Sequence, residues 1–188
     1  MAVLSNRAIV EALDSGRLVI DPRPMPPPGE AGTPYDTVSV DLRLSSEIFV
    51  PKANLNLTFD LRGAGLARTF EAVYSPETIG EQGWTLLPNK FILGRTIERV
   101  ELSLSDNCLA ARIEGRSSFA RTGLLVHFTA PTIHPNFKGT ITLEMINLGQ
   151  IPLTLRPGLR VCQLIIETVD GSPIQADSQF QGQQRPIG

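Results

Sequence analysis

Residues 111–123 read Ala-Arg-Ile-Glu-Gly-Arg-Ser-Ser-Phe-Ala-Arg-Thr-Gly, and residues 134–147 read His-Pro-Asn-Phe-Lys-Gly-Thr-Ile-Thr-Leu-Glu-Met-Ile-Asn. The first segment joins the end of a predicted strand over 109–113 to a polar cluster that Gly123 closes. The second segment predicts a strand over 140–147, because its apolar residues recur at every second position. The rest of the chain is organised around these two segments, which carry most of the side chains suited to chemistry.

The polar cluster contains Arg116, Ser117, Ser118 and Arg121 within six residues. Ser117 or Ser118 can cap a single helical turn that ends at Gly123. Free backbone N–H groups beside two guanidinium groups would bind an anion, and the paired donors of Arg suit phosphate oxygens. The residues alone leave a second interpretation equally open, namely a capped turn with two solvated arginines.

Glu144 is the only carboxylate in the predicted strand over 140–147. The period of two places it on the same face as Thr142 and Ile146, beside an apolar side chain. A carboxylate in apolar surroundings must be paired or have a raised pKa, and a raised pKa suits a general acid and base near neutral pH. The alternative is a glutamate on the wet face of an edge strand, which periodicity alone favours.

The remaining sequence predicts a mainly β chain that forms one domain over 1–188, with one N-terminal helix over 5–16 that Ser5 caps. Residues 21–34 are rich in Pro and Gly and predict an extended loop, and the most flexible loops are expected at 61–69 and 75–83. Many short strands separated by turn residues are typical of an antiparallel barrel or sandwich. The predicted strands are 18–20, 38–44, 48–50, 55–59, 70–73, 84–87, 91–96, 151–155 and 159–167.

Composition limits the function classes. The net charge of −2 argues against a strongly basic nucleic-acid surface. No segment approaches the roughly 20 apolar residues of a membrane span, and the N-terminus lacks a charged start followed by an apolar block, so a cytoplasmic protein is expected. Cys108 and Cys162 lie in apolar, strand-like sequence, which predicts buried free thiols.

A longer pattern connects the two central segments with their surroundings. It consists of Gly-Arg-Ser-Ser-Phe-Ala-Arg-Thr-Gly-Leu at 115–124, Thr-Ala at 129–130, Phe-Lys-Gly-Thr-Ile-Thr-Leu-Glu at 137–144, Asn147, and Arg-Pro-Gly-Leu-Arg-Val-Cys-Gln-Leu at 156–164. In order and spacing this pattern resembles the dCTP deaminase branch of the trimeric dUTPase superfamily. Weaker similarity reaches both ends, through Ser39 to Leu44 and through Phe180 to Gln183.

The resemblance implies a fold, a reaction and an assembly. The fold would be a distorted antiparallel β-barrel or jelly roll of the dUTPase-like, β-clip kind, with the N-terminal helix outside it. The enzyme would be a hydrolase that deaminates dCTP to dUTP and ammonia, which supplies dUTP for dTTP synthesis. It would be a homotrimer with sites between subunits, and residues 170–188 would form a C-terminal arm that closes over the nucleotide.

The resemblance also implies roles for individual residues. Glu144 would be the general base and acid, Ser117 would hold the attacking water, the carbonyl of Ala130 would orient that water, and Arg121 would support the developing charge. Mg²⁺ would be bound through the substrate triphosphate and by no protein carboxylate. The nucleotide-binding positions would be Arg116, Ser118, His134, Thr142, Gln163, Gln179 and Gln183.

Zinc deaminases use a different arrangement, His-x-Glu followed by Pro-Cys-x-x-Cys, in which the metal lowers the pKa of the attacking water. The histidines of this chain are His127 and His134, and neither has Glu two residues further on. Cys108 and Cys162 lie on opposite sides of the whole central region. A deaminase with this sequence is therefore expected to work without zinc.

The chain departs from the family pattern at a few positions. Family members commonly have Asp where this chain has His134, and in dUMP-forming relatives that Asp contacts the deoxyribose and matters for pyrophosphate release. The Tyr and Lys of the family's arm align with Ala176 and Gln179. The resemblance therefore favours dUTP as the product, and it leaves two alternatives, a bifunctional enzyme that forms dUMP and a catalytically silent nucleotide-binding protein. It also makes dTTP a candidate feedback ligand.

Overall fold

The computed structural model describes residues 2–58, 66–104, 107–129 and 132–174. These residues form an antiparallel β structure with three helices among them. The helices are α1 (Asn6–Asp14), α2 (Leu66–Val73) and α3 (Ser117–Ala120), and the strands are β1 (Leu18–Asp21), β2 (Val40–Arg43), β3 (Glu47–Pro51), β4 (Tyr74–Thr78), β5 (Trp84–Leu86), β6 (Phe91–Leu102), β7 (Leu109–Gly115), β8 (Leu124–Leu125), β9 (Lys138–Asn147), β10 (Leu153–Leu155) and β11 (Arg160–Thr168).

The described strands form three antiparallel sheets. The largest has six strands in the order β4-β3-β6-β9-β8, with β1 also paired to β6, and the others are β2-β11-β7 and β10-β5. Side chains of both larger sheets meet in one core, where Leu42, Ile92, Leu143 and Leu164 are fully buried. Each such side chain contributes roughly 1.5–3 kcal/mol by leaving water. The predicted distorted antiparallel barrel or jelly roll is confirmed.

An ion pair between the buried Glu98 and the partly exposed Arg43 ties the two larger sheets together. The pairing of β6 with β9 is irregular between Arg95 and Arg99, and Glu98 lies in this irregular part with only 2% of its surface exposed. Its carboxylate accepts hydrogen bonds from the backbone N–H of Arg43, at 2.8 Å, and from Nε of Arg43, at 2.6 Å. Because Arg43 belongs to β2, this pair fixes how the six-stranded and three-stranded sheets face each other.

The N-terminal helix is confirmed. Oγ of Ser5 accepts from the backbone N–H of Ala8, which satisfies one of the free donors at the start of α1. Gly16, just beyond the C-cap residue Ser15, has φ of +72°, a conformation that glycine adopts without strain.

Four local predictions between residues 55 and 83 are wrong in whole or in part, namely the strands over 55–59 and 70–73 and the loops over 61–69 and 75–83. Residues 66–69 belong to helix α2 and residues 75–78 belong to strand β4. Residues 55–58 form no strand, and residue 59 lies outside the described part of the chain. Residues 70–73 belong to helix α2, whose last carbonyl oxygens, at Glu71 and Ala72, accept from Nζ of Lys52. Residues 74–78 form the edge strand β4, which pairs with β3. Pro76 has no backbone N–H to donate, and an edge strand tolerates this because one of its sides has no neighbouring strand.

Both cysteines are buried and unpaired, as predicted. Burial raises the pKa of the Cys162 thiol far above its usual range, so this sulfur stays protonated in the folded chain. None of the helices in the described residues is long and apolar enough to cross a membrane.

Candidate active site

The polar cluster forms the turn that follows β7. Arg116 is the N-cap residue of α3 in an extended conformation, and no side chain caps this helix. The prediction of a cap from Ser117 or Ser118 is therefore wrong, because the chain turns one residue earlier. Gly123 ends the turn with φ of +91°, as expected for a terminating glycine. Ser117, Ser118 and Arg121 are exposed.

The side chain of Arg116 contacts both the three-stranded sheet and α3. Its Nη1 donates to Oδ2 of Asp41 at 2.9 Å, and its guanidinium carbon lies 5.9 Å from the ring centroid of Phe119. The other carboxylate oxygen of Asp41 accepts from Nε2 of Gln163 at 3.3 Å. We call Asp41, Arg116 and Gln163 the arginine clasp. Two of its members were predicted as nucleotide-binding residues, and Asp41 was not.

Burial has a clear electrostatic effect on the clasp. It raises the pKa of Asp41 above its ordinary value, although the Arg116 guanidinium and the Gln163 amide act in the opposite direction. Only 7% of the surface of Asp41 is exposed to solvent. Its ionised form therefore depends on the two groups that donate hydrogen bonds to it.

Glu144 lies on β9 as the period of two predicts. Residues alternate along this strand between buried and half-buried positions, and Glu144 shares the half-buried face with Thr142 and Ile146. Its Oε2 lies 3.2 Å from Nδ1 of His127, and the two side chains are 30% and 20% exposed. The carboxylate is thus paired, which is one of the two outcomes that the sequence allowed.

The register of β8 and β9 explains why His127 reaches Glu144. Leu124 pairs with Asn147 and Leu125 with Ile146. In an antiparallel register, two further steps along the chain bring residue 127 opposite residue 144, although β8 itself ends at Leu125. In the sequence alone, His127 is only a histidine that does not fit a zinc motif. The position of His127 two residues after β8 is what indicates that it faces Glu144. This can be recognised only once the pairing of β8 with β9 is known.

A close backbone contact fixes α3 against the end of β9. Asn147 is fully buried, and its Nδ2 donates to the carbonyl oxygens of Leu86 and Ile151, while its Oδ1 accepts from the backbone N–H of Gly149. A Cβ atom on Gly149 would lie 2.3 Å from the carbonyl oxygen of Thr122. The segment after α3 therefore rests directly on the turn after β9.

The other predicted site residues fall in different places. His134 is exposed in a tight turn, where the backbone N–H of Phe137 donates to its carbonyl oxygen and Asn136 has φ of +69°. Within the described residues, no hydrogen bond or ion pair links Glu144 to α3. Ala130, Gln179 and Gln183 lie outside the described part of the chain, as do Pro131 and Ala176.

The arrangement can support chemistry at two points. Glu144 with His127 offers a positioned proton acceptor on the six-stranded sheet, and the arginine clasp offers cationic donors on the three-stranded sheet. Helix α3 connects the sheets, because it follows β7 and precedes β8. Across the described residues, no group of three or more His, Cys, Asp and Glu side chains is placed to hold a metal ion.

The barrel is a dUTPase-like fold, and a solved structure shows the same architecture. The 2'-deoxycytidine 5'-triphosphate deaminase of Agrobacterium tumefaciens superposes with a TM-score of 0.63 over 87% of this chain, at 18% identity. The aligned region spans 47% of that longer chain, and at this identity the match establishes the fold alone.

Sequence comparison defines the family. A family model described as dCTP deaminase-like matches residues 3–169. A dCTP deaminase of Rhodospirillum rubrum is 40% identical over 169 residues, which cover 88% of this chain and 82% of that protein. A dUMP-forming dCTP deaminase of Methanobrevibacter smithii is 39% identical over 170 residues, covering 90% of this chain and 81% of the relative. The chain belongs to the dCTP deaminase-like family.

Proposed function

We propose that this protein hydrolyses the 4-amino group of dCTP to give dUTP and ammonia, with Glu144 as the general base and acid and without zinc. One observation carries the proposal: in a member of the dCTP deaminase-like family, the half-buried Glu144 is held by His127 across the β8 and β9 pairing. The names of relatives at about 40% identity support dCTP as the substrate.

The reaction needs one carboxylate and one water. Glu144 takes a proton from the water as its oxygen attacks C4 of the cytosine, and it passes that proton to the ring nitrogen N3. It then takes the proton of the new hydroxyl group and gives it to the amino group, which leaves as ammonia. The balance is dCTP and water to dUTP and ammonia. General acid and base catalysis of this kind contributes roughly 10² to 10⁴ in rate.

His127 orients the carboxylate in this scheme. An ionised carboxylate only accepts hydrogen bonds, so Nδ1 of His127 carries the hydrogen and donates it to Oε2 of Glu144. This bond occupies one oxygen and leaves Oε1 for the attacking water. Ser117 and the carbonyl of Ala130 would hold that water, and Arg121 would face the developing charge.

The triphosphate would lie against the exposed turn of α3. Arg116 and Ser118 would donate to its oxygens, and Mg²⁺ would accompany the nucleotide as a counter-ion shared among the phosphates. Thr142, Gln163, His134 and the arm over 170–188 would complete the contacts of the nucleotide.

The site would form between subunits of a homotrimer. No hydrogen bond or ion pair within the described ranges links Glu144 to α3. Exposed apolar side chains lie nearby, at Leu125 on β8 and at Phe128 and Leu148 in the segments that follow β8 and β9. A neighbouring copy that covers this surface would bring its own Glu144 or its own α3 to complete the site.

The product decides between two activities. The relative from Methanobrevibacter smithii is named as dUMP-forming. We propose dUTP as the product here, because His134 stands where the resemblance places the carboxylate used in the second hydrolysis. Formation of dUMP and pyrophosphate would establish the bifunctional alternative instead. Adding dTTP to the same assay would test whether dTTP inhibits the turnover of dCTP, as feedback regulation requires.

The first test compares the wild-type protein with Glu144→Gln and with Glu114→Gln, a matched control in which an exposed carboxylate of β7 is neutralised. Each is incubated with dCTP and Mg²⁺, with and without a zinc chelator, and nucleotides and ammonia are resolved by chromatography. We expect turnover by the wild type and by the control that survives the chelator, and a loss of at least about 100-fold in Glu144→Gln. A Glu144→Gln variant that turns over at the wild-type rate would refute the assigned base, and no turnover of dCTP by the folded wild type would refute the activity.

A second test asks whether the site is shared between subunits. Glu144→Gln and Ser117→Ala are each expected to be inactive, so they are denatured together in equal amounts and refolded. If each site takes Glu144 from one chain and Ser117 from another, random assembly restores about a quarter of the sites. If both residues come from the same chain, the mixture stays inactive.

A further inference from the structure

The guanidinium group of Arg116 is held by only one of its three nitrogens. Its hydrogen bonds to Oδ2 of Asp41, at 2.9 Å, and to the carbonyl oxygen of Arg160, at 3.5 Å, both start from Nη1. The ring of Phe119 covers one face at 5.9 Å. In the part of the chain that the structure describes, Nε and Nη2 have no hydrogen-bond partner. One edge of the fork is therefore fixed and the other is left to donate.

Asp41 is a rigid point of attachment. It lies on β2 and pairs in register with Gln163 of β11, whose Nε2 donates to the second carboxylate oxygen. With only 7% of its surface exposed, its side chain has little room to change rotamer. The other charged and titratable groups that face it are Arg160 and Asp36, which act through space, and the buried Cys162.

We propose that Asp41 is a positioning residue for nucleotide binding, which holds Arg116 by Nη1 so that Nε and Nη2 donate to the phosphate groups of the substrate. This inference rests on the function proposed above. An arginine that is free in solution loses rotamer entropy when it binds an anion, whereas a pre-oriented arginine has already lost it. Asp41 itself touches no substrate atom and acts through Arg116.

The end-on geometry distinguishes positioning from competition. A carboxylate that paired with the outer edge of Arg116 through two parallel hydrogen bonds would occupy the donors that a phosphate needs. Asp41 instead uses one nitrogen and leaves the fork open. The two roles predict opposite results, because removing a competitor strengthens anion binding and removing an anchor weakens it.

The test measures the binding of inorganic triphosphate by calorimetry and the steady-state kinetics of dCTP in parallel. In Asp41→Asn we expect triphosphate affinity to fall about tenfold and KM for dCTP to rise by a similar factor, because an amide holds a guanidinium more weakly than a carboxylate does. We expect kcat within about twofold of wild type. Asp36→Asn is the matched control, since it removes a nearby charge that does not contact Arg116, and its affinity should not change.

A double variant separates the anchor from a general structural role. Arg116→Lys keeps the charge but lacks the planar fork, so it should lose affinity by itself. If Asp41 acts through Arg116, adding Asp41→Asn to Arg116→Lys causes no further loss, whereas independent effects multiply. Asp41→Glu keeps the charge and moves the carboxylate, and it provides the measurement if Asp41→Asn does not fold.

Several results would overturn the inference. The first is unchanged or tighter triphosphate binding in Asp41→Asn, and the second is a loss of affinity in the double variant equal to the product of the two single losses. The third is a loss of affinity in Asp36→Asn as large as that in Asp41→Asn. The fourth is a wild-type protein that binds no triphosphate. A wild type that binds triphosphate but leaves dCTP unchanged would refute the proposed deamination alone. The triphosphate measurements would still decide the role of Asp41 in that case.

Discussion

Replacing Gly149 by Ala should damage both the stability and the activity of this protein. The added Cβ would lie 2.3 Å from the carbonyl oxygen of Thr122 and 3.1 Å from Oδ1 of Asn147. The first distance is about 1 Å shorter than an ordinary carbon to oxygen contact. The carbonyl oxygen of Thr122 is a backbone atom, so the turn after β9 must move away from the segment after α3.

The cost can be set against a glycine that has space. Overpacking of a tight site costs about 1–3 kcal/mol, and we expect the upper part of that range because no flexible side chain can yield. Gly80→Ala is the matched control, since nothing lies within 4 Å of its Cβ position and its φ is not in the left-handed region. That variant should gain about 0.4–1 kcal/mol from the reduced entropy of the unfolded chain. The two variants should thus differ by about 3 kcal/mol.

Urea unfolding followed by circular dichroism, at one protein concentration for all variants, measures this difference. For a chain of this size the melting temperature changes by about 2–4 °C per kcal/mol, so multiplying by the expected difference of about 3 kcal/mol predicts that Gly149→Ala melts roughly 6–12 °C below Gly80→Ala. Displacing Thr122 also moves α3, so kcat/KM for dCTP should fall by about tenfold or more. A Gly149→Ala variant within about 0.5 kcal/mol of Gly80→Ala would refute the backbone contact between α3 and β9.

Two further predictions concern groups that the structure places in pairs or in the core. His127→Ala should lower kcat by about 10-fold to 100-fold with little change in KM, because Glu144 loses the donor that orients it. His127→Asn should recover part of this loss. An unchanged kcat of His127→Ala in steady-state assays would contradict the orienting role. Cys108 and Cys162 should not react with a thiol reagent in the folded protein, because burial keeps both from solvent and disfavours the thiolate of Cys162. Both should react when the protein is unfolded in guanidinium. Rapid labelling of the native chain would contradict their burial.

Local sequence patterns predicted the elements whose determinants lie within a few residues. The period of two fixes which face of β9 carries Glu144, and Ser5 with Gly16 marks the two ends of α1. At α2 the local pattern is misleading, because the apolar run from Phe70 to Val73 predicts a strand and the residues are helical. Short apolar runs are ambiguous between helix and strand, and here a capping interaction from Lys52, distant in the sequence, supports the helix.

The pairs that define the candidate site depend instead on strand register, which no local pattern contains. His127 reaches Glu144 only because β8 pairs with β9 in one register, and a shift by one residue would turn the facing side chains to opposite sides of the sheet. Arg116 likewise meets Asp41 only because β11 lies between β2 and β7 and pairs with both. Sequence therefore identifies which residues have suitable chemistry, and the fold decides which of them can act together. Among the described residues of one chain, no hydrogen bond or ion pair links Glu144 to α3. The refolded mixture of Glu144→Gln and Ser117→Ala is therefore the experiment that decides whether assembly completes the site.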